Sequence, residues 1–187
     1  MQYMNGLALR VSVETGIRIG DVLALKGENI AGRKISFTAK KTGKSGVKTI
    51  SAELERELRR VIHKPGDFVF KGRGKTGHIT RQAVYLDLKG VCKRMHLEGQ
   101  ISPHTARKSY AVDIFHEKGL NAVQKELQHR NVSETLLYCM SDTFLPKYTK
   151  SERNFEECEN CPLLDEKFVK KLAHQIAQYI IDETRGA

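Results

Sequence analysis

The stretch 102–142, SPHTARKSYAVDIFHEKGLNAVQKELQHRNVSETLLYCMSD, constrains this chain more than any other. It holds His104 and Arg107 three residues apart, His129 well downstream, and Tyr138 nine residues after that. Residues three apart project from one face of a helix, so His104 and Arg107 leave a helix side by side. A loop must then bring His129 back beside them, and a short helix after it presents Tyr138. All four side chains can handle a phosphate.

Upstream, TGIRIGDVLALK puts Arg18 at a turn just before a helix. Tyr3, Met4, Leu7 and Val11 form a helical stripe over 2–14, Thr15-Gly16 ends it, and a second helix covers 19–25. Residues 33–51 read as a hairpin, with Ile35, Phe37, Val47 and Ile50 flanking a turn that holds Gly43, Lys44 and Gly46. Helix returns over 52–62, with Leu54, Leu58 and Val61 on one face. A short strand, Phe68, Val69 and Phe70, leads into the glycine-rich turn KGRGKTG. Thr80 caps a helix that starts near Arg81 and carries Ala83, Val84, Leu86, Leu88 and Val91. The pattern predicts an α+β fold, mostly helical with a small antiparallel sheet.

Charge narrows the partner. The 187 residues carry a formal charge of +10. Residues 151–187 hold five Lys/Arg against eight Asp/Glu, a net of −3, so residues 1–150 carry +13. The basic character belongs to the body and attracts polyanions, nucleic acid before membrane, because no basic amphipathic surface helix accompanies it. No apolar run reaches the roughly 18 residues of a spanning helix, and the N-terminus lacks the charged and apolar blocks of a signal peptide. A cytoplasmic protein with reduced thiols at Cys92, Cys139, Cys158 and Cys161 is the expectation.

A phosphodiester under attack gains negative charge on its non-bridging oxygens, and an arginine fork suits them because it is always charged and can bind two at once. Arg18 and Arg107 are the candidates. Tyr138 needs its proton removed or its phenolate stabilised, for which His104 is an acid/base candidate and the arginine field a support. His129 can donate a hydrogen bond to a phosphate oxygen. The leaving 5′-oxygen needs a proton, which an ammonium can supply. Lys41 in the hairpin turn KKTGK is that candidate. Each residue alone is weak: an arginine after a turn is usually a solvated helix end, and a tyrosine of this kind is usually half-buried core. Order and spacing together change the weighing, as R…K…H-x-x-R…H-(x8)-Y.

This arrangement resembles the catalytic domain of the tyrosine recombinase (phage integrase) family over roughly residues 15–142. TGIRIGDVLALK is similar to the family's first arginine box, with Asp21 at its acidic bracing position. LQHRNVSETLLY resembles its second box, with Thr135 and Tyr138 where expected. The resemblance implies that Arg18, Lys41, His104, Arg107, His129 and Tyr138 cleave one DNA strand through a 3′-phosphotyrosine, without cofactor, metal or nucleotide. It implies double-stranded DNA as partner, contacted by Lys40, Lys44, Lys48 and Arg81, and a homo-tetramer on DNA that is a monomer when free. The chain departs from the family in having Gln128 where glycine commonly precedes the histidine. Lys44 remains an alternative to Lys41, and Tyr148 ranks well below Tyr138 because it lies 19 residues beyond His129.

The expected organisation is a catalytic domain over 1–150, with the amino-terminal DNA-clamping domain of the family absent, and a helical tail over 151–187. In that tail Leu164, Phe168, Leu172, Ile176 and Ile180 recur every four residues. The stripe either packs on its own domain or docks on a neighbouring protomer. Cys158 and Cys161 form a CxxC, but zinc takes four ligands and His174 is the only histidine near them; no metal site is expected. A type IB topoisomerase-like enzyme and a non-catalytic DNA-binding relative remain the competing readings.

Overall fold

In the computed structural model, residues 1–95 and 101–128 and the side chain of Thr135 are described. The chain opens with α1 (Tyr3–Thr15) and continues through α2 (Ile19–Val22), a 3₁₀ turn at Gly27–Asn29, and strands β1 (Ile30–Ala31), β2 (Lys34–Thr38) and β3 (Ser45–Thr49). Three helices follow, α3 (Ala52–Val61), α4 (Arg81–Arg94) and α5 (Pro103–Leu127). The sheet is antiparallel in the order β1-β2-β3, with Ile35 opposite Lys48 and Thr38 opposite Ser45. The architecture is the expected one, mostly helical with a small antiparallel sheet.

Helix α1 is the central pillar and packs against α2, α3, α4 and α5. Leu7, Ala8, Leu9 and Val11 are buried from different sides of it, so it is lined by core almost all round. Leu54 and Leu58 of α3, Val84 and Leu88 of α4, and Ile35 of β2 close the same core with Phe70. The caps follow the sequence. Thr80 Oγ1 accepts from Ala83 N at 3.1 Å, and Ser51 Oγ accepts from Leu54 N at 3.1 Å. Each such bond satisfies an amide that the first helical turn leaves without an intrahelical partner. At α5, Pro103 takes the first helical position, where its missing N–H costs nothing.

Three expectations change. The helix expected over 19–25 is helical only at Ile19–Val22 and ends in a turn. The expected strand at Phe68–Phe70 is not a strand. Phe68 bridges Lys26, while Val69 N–H donates to Leu25 and the Phe70 carbonyl accepts from Ile79 N–H. Phe68 and Val69 thus share one bridge to residues 25–27 while Phe70 turns to Ile79, so no ladder propagates, yet Val69 and Phe70 are still buried as the apolar run demands. The third change is β1, a two-residue strand too short to register as a period. Helix α5 is also interrupted: Gly119 adopts φ 76° and ψ 178°, splitting off a final short helical segment. Among the described residues, no helix is long and apolar enough to cross a membrane.

Gly16 fixes the junction between α1 and the turn that carries Arg18. It caps α1 at φ 68°, its N–H donating to Ser12 O at 2.9 Å. A Cβ there would lie 2.3 Å from Tyr110 Cδ1. A left-handed conformation and a ring in the way both exclude a side chain. Gly16→Ala is therefore expected to lower unfolding free energy by about 2–4 kcal/mol, measurable by urea denaturation; a loss below about 0.5 kcal/mol would contradict this packing.

Candidate active site

The turn after α1 is built by its own side chains. Thr15 Oγ1 donates to Val11 O at 2.6 Å and accepts from Ile17 N–H at 3.2 Å, while Ser12 Oγ donates to Ile17 O at 2.7 Å. Ile17 is buried, which plugs the turn into the core. Arg18 then sits at the N-cap of α2 in extended conformation, its carbonyl accepting from Asp21 N–H at 2.8 Å and Val22 N–H at 3.0 Å. The backbone is thus pinned on both sides of Arg18.

Asp21 links this turn to the hairpin. Its carboxylate is buried and accepts from the Lys40 N–H at 3.1 Å. The hairpin loop closes on itself through Ala39 N–H to Lys44 O at 2.9 Å and Gly43 N–H to Ala39 O at 2.8 Å, with Gly43 at φ 69°. Ala39 is buried while Lys40, Lys41 and Lys44 are exposed. Asp21 is thus bonded to the backbone of the loop that bears Lys41.

His104 and Arg107 lie one turn apart at the start of α5, His104 exposed and Arg107 only 4% exposed. The His104 imidazole is pushed below the ordinary histidine range. Partial enclosure by protein is the main cause, followed by the positive charges of Arg107, Lys108, Arg18 and Lys41. Four cations from three elements thus act on one imidazole, and with its partial enclosure they favour its neutral form. Arg18, Lys41, His104 and Arg107, scattered over 90 residues of sequence, are brought together.

The Arg107 guanidinium also holds backbone. One terminal nitrogen donates to the Gly16 carbonyl, and the other donates to Leu127 O at 2.8 Å. A guanidinium has five N–H groups in a planar fork. Arg107 thereby ties the turn before Arg18 to the end of α5, directly ahead of His129. The chain reverses there at Gln128, at φ 56° and ψ 34°. A glutamine takes the left-handed position where the family commonly has glycine, and its side-chain amide donates to Ser45 O at 3.4 Å on β3.

The remaining expected contacts divide. Arg81 is exposed and folds over α2, so that a Cβ on Gly20 would lie 3.2 Å from its Cδ. Lys48 faces inward. Its ammonium pairs with the Glu126 carboxylate and donates to the Glu126 carbonyl at 3.1 Å and to the Tyr110 hydroxyl at 3.2 Å. The expected phosphate contact through Lys48 would have to break this pair. Sequence reading passed over Lys108, Tyr110 and Glu126. The available signal was strand alternation, which puts Val47 outside at 62% exposed and Lys48 inside, where a lysine must have a partner. His129, Tyr138, Tyr148, the tail stripe and the CxxC lie outside the described residues; Thr135 is fully buried. Among the described residues, no three His, Cys, Asp or Glu are grouped to hold a metal.

Comparison with known proteins gives this geometry a family. The phage integrase family matches residues 2–143. Over 144 residues the chain is 30% identical to tyrosine recombinase XerD of Listeria monocytogenes serotype 4b, covering 70% of this chain and 48% of that protein. It is 28% identical to tyrosine recombinase XerC of Vibrio atlanticus over 144 residues, covering 76% of this chain and 46% of XerC. The chain thus spans about half the length of the curated relatives it matches. Among solved structures, the catalytic domain of bacteriophage HP1 integrase aligns over 71% of each chain at a TM-score of 0.54 and 22% identity. XerH site-specific recombinase bound to palindromic difH substrate aligns over 72% of this chain and 41% of XerH, at a TM-score of 0.58 and 21% identity. With the family match spanning most of the chain and the fold agreeing with a catalytic domain of the same kind, this protein belongs to the phage integrase family, among the tyrosine recombinases.

Proposed function

We propose that residues 1–150 are the catalytic domain of a site-specific DNA recombinase that cleaves and rejoins strands through a covalent 3′-phosphotyrosine. The observation that carries this reading is the convergence of Arg18, Lys41, Arg107 and Lys108 on His104, whose imidazole is held below the ordinary histidine range by partial burial and by their charges. A concentrated positive field beside an imidazole held toward its neutral form fits an anionic substrate attacked by a weakly acidic nucleophile. In the proposed step the Tyr138 oxygen bonds to phosphorus as the bond from phosphorus to the 5′-oxygen breaks. His104 takes the tyrosine proton, Lys41 gives one to the leaving oxygen, and Arg18 and Arg107 hold the non-bridging oxygens with His129. The phosphotyrosyl bond conserves the energy for rejoining, so the residues need neither metal nor nucleotide.

Double-stranded DNA is the proposed partner. Lys40, Lys44 and Arg81 are exposed around the site and can meet flanking phosphates. Two solved neighbours, XerH with difH and the Tn1549 transposon integrase with circular intermediate DNA, are DNA complexes, which supports the same partner here. We assign the tail at 151–187 to assembly of a homo-tetramer on DNA, the free protein being monomeric, and the cytoplasm as the site of action.

The deciding experiment is incubation with a pool of nicked duplexes of randomised sequence, followed by a denaturing gel. A protein–DNA adduct that survives denaturation is expected, and its DNA gives the target. Tyr138→Phe should abolish the adduct while leaving DNA binding near normal. An undiminished adduct in that variant, or loss in Tyr148→Phe alone, would reject Tyr138 as the nucleophile. Arg107→Lys should cost about 10²–10³ in single-turnover cleavage, because an ammonium cannot reproduce the fork; cleavage at the unaltered rate would refute the clamp. Binding should weaken linearly in log affinity against log salt, as expected of a +13 body neutralising phosphates. Affinity that stays flat between low and physiological salt would contradict a phosphate-led interface.

A further inference from the structure

The end of α5 is secured in an unusual way. The last four carbonyls of a helix have no intrahelical partner. Here the Gln128 N–H serves those of Gln124 and Lys125, Lys48 serves that of Glu126, and Arg107 serves that of Leu127. Two of the ligands are cations at the negative end of the helix dipole, where positive charge is favoured. They come from different elements. Arg107 belongs to the cluster around His104, whereas Lys48 lies on β3, seven residues after Lys41.

Lys48 is more than a cap. Its ammonium also pairs with the Glu126 carboxylate, and the Tyr110 hydroxyl closes the triangle by donating to Glu126 Oε2 at 3.2 Å. The lysine side chain is only 11% exposed, and its Nζ sits 5.1 Å from the Tyr110 ring centroid. A second bond, from the Gln128 amide to Ser45 O, fastens the other end of the same strand to the same helix end. Both bonds cross from β3 to residues 126–128. The hairpin loop itself has one further described tie to the body, the Asp21 bond to the Lys40 N–H. Without the β3 contacts, the exposed tip of the loop would keep that bond and the buried Ala39 at its base as its described anchors.

We propose that Lys48 is a positioning residue for strand cleavage: by pairing with Glu126 and capping α5, it locks the β2–β3 hairpin so that the Lys41 ammonium is held at the leaving oxygen. The inference rests on the reading of Lys41 as proton donor, and the test separates the two. An alkoxide leaving group needs a proton. A thiolate does not, since a thiol ionises near pH 8.5. A duplex with sulfur in place of the bridging 5′-oxygen therefore bypasses whatever delivers that proton.

The experiment measures single-turnover adduct formation by the full chain on the duplex captured from the randomised pool, made with oxygen or sulfur at the cleaved bond. Lys41→Ala, Lys48→Met and the pair Lys48→Met with Glu126→Gln are compared, with thermal unfolding followed by circular dichroism. The paired variant leaves no carboxylate without its cation, which keeps the test open where Lys48→Met alone loses stability. Lys48→Met and the paired variant should each lose about a hundredfold on the oxygen duplex and return to near the unaltered rate on sulfur, as Lys41→Ala should. Folded Lys48 variants that lose both duplexes equally, that lose neither, or a paired variant that does not fold, would overturn the proposal by assigning Lys48 to stability or to nothing. Failure of sulfur to rescue Lys41→Ala would remove the proton-donor reading itself. An unaltered chain that forms no adduct would remove the recombinase reading, and the inference with it.

Discussion

The site depends on one guanidinium. Arg107 holds the Gly16 carbonyl two residues before Arg18 and the Leu127 carbonyl two residues before His129, while sharing a helix face with His104. Three segments far apart in sequence meet at that side chain. A lysine could reach one carbonyl or the other but would present a point charge; a planar fork holds both at a set angle. Burial strengthens each of these bonds, because water does not compete for the carbonyls.

The turn at Gln128 shows how a local conflict is resolved by tertiary contact. A non-glycine residue in the left-handed region costs about 1–2 kcal/mol. The Gln128 backbone nonetheless caps two carbonyls of α5, and its side chain reaches Ser45 on the hairpin. A glycine would relieve the strain but would give up the cross-link. The same helix end takes its other two caps from Lys48 and Arg107, so the end of α5 is specified by bonds arriving from outside its last turn.

What the sequence made legible was what short-range physics governs. Thr80 caps a helix because its side-chain oxygen lies within reach of the first-turn amides, and His104 and Arg107 share a face because helical spacing requires it. Gly16 ends α1 because that position is left-handed. The same reading missed what depends on partners distant in sequence. Phe68–Phe70 looks like a strand, yet it makes a single bridge to the Lys26 segment before Phe70 turns to Ile79. Lys48 looked like one of several surface lysines, and only the register of Ile35 against Lys48 sets which face it takes, since a slip of one residue would have turned it outward. Glu126 gave no sign of itself, being one acidic residue on a charged helix until β3 is laid beside it.

Electrostatics accounts for what the carbonyls of Gly16 and Leu127 contribute by seating Arg107. Arg18, Lys41, Arg107 and Lys108 crowd one imidazole at the N-terminal end of α5, where the helix dipole adds further positive potential. Folding brings these like charges together at a cost, which carboxylate partners would relieve most strongly. A carboxylate in direct contact with the cluster would also cancel the field that an anionic substrate is proposed to meet. The carbonyls of Gly16 and Leu127 offer partial charge only, enough to seat Arg107 while leaving most of its cationic field in place. The acidic groups stand one step back: Asp21 is turned to the Lys40 backbone N–H, and Glu126 is taken up by Lys48. Among the described residues, orientation is thereby supplied by neutral backbone and by the Lys48–Glu126 pair behind the site, an arrangement that suits the anionic substrate proposed.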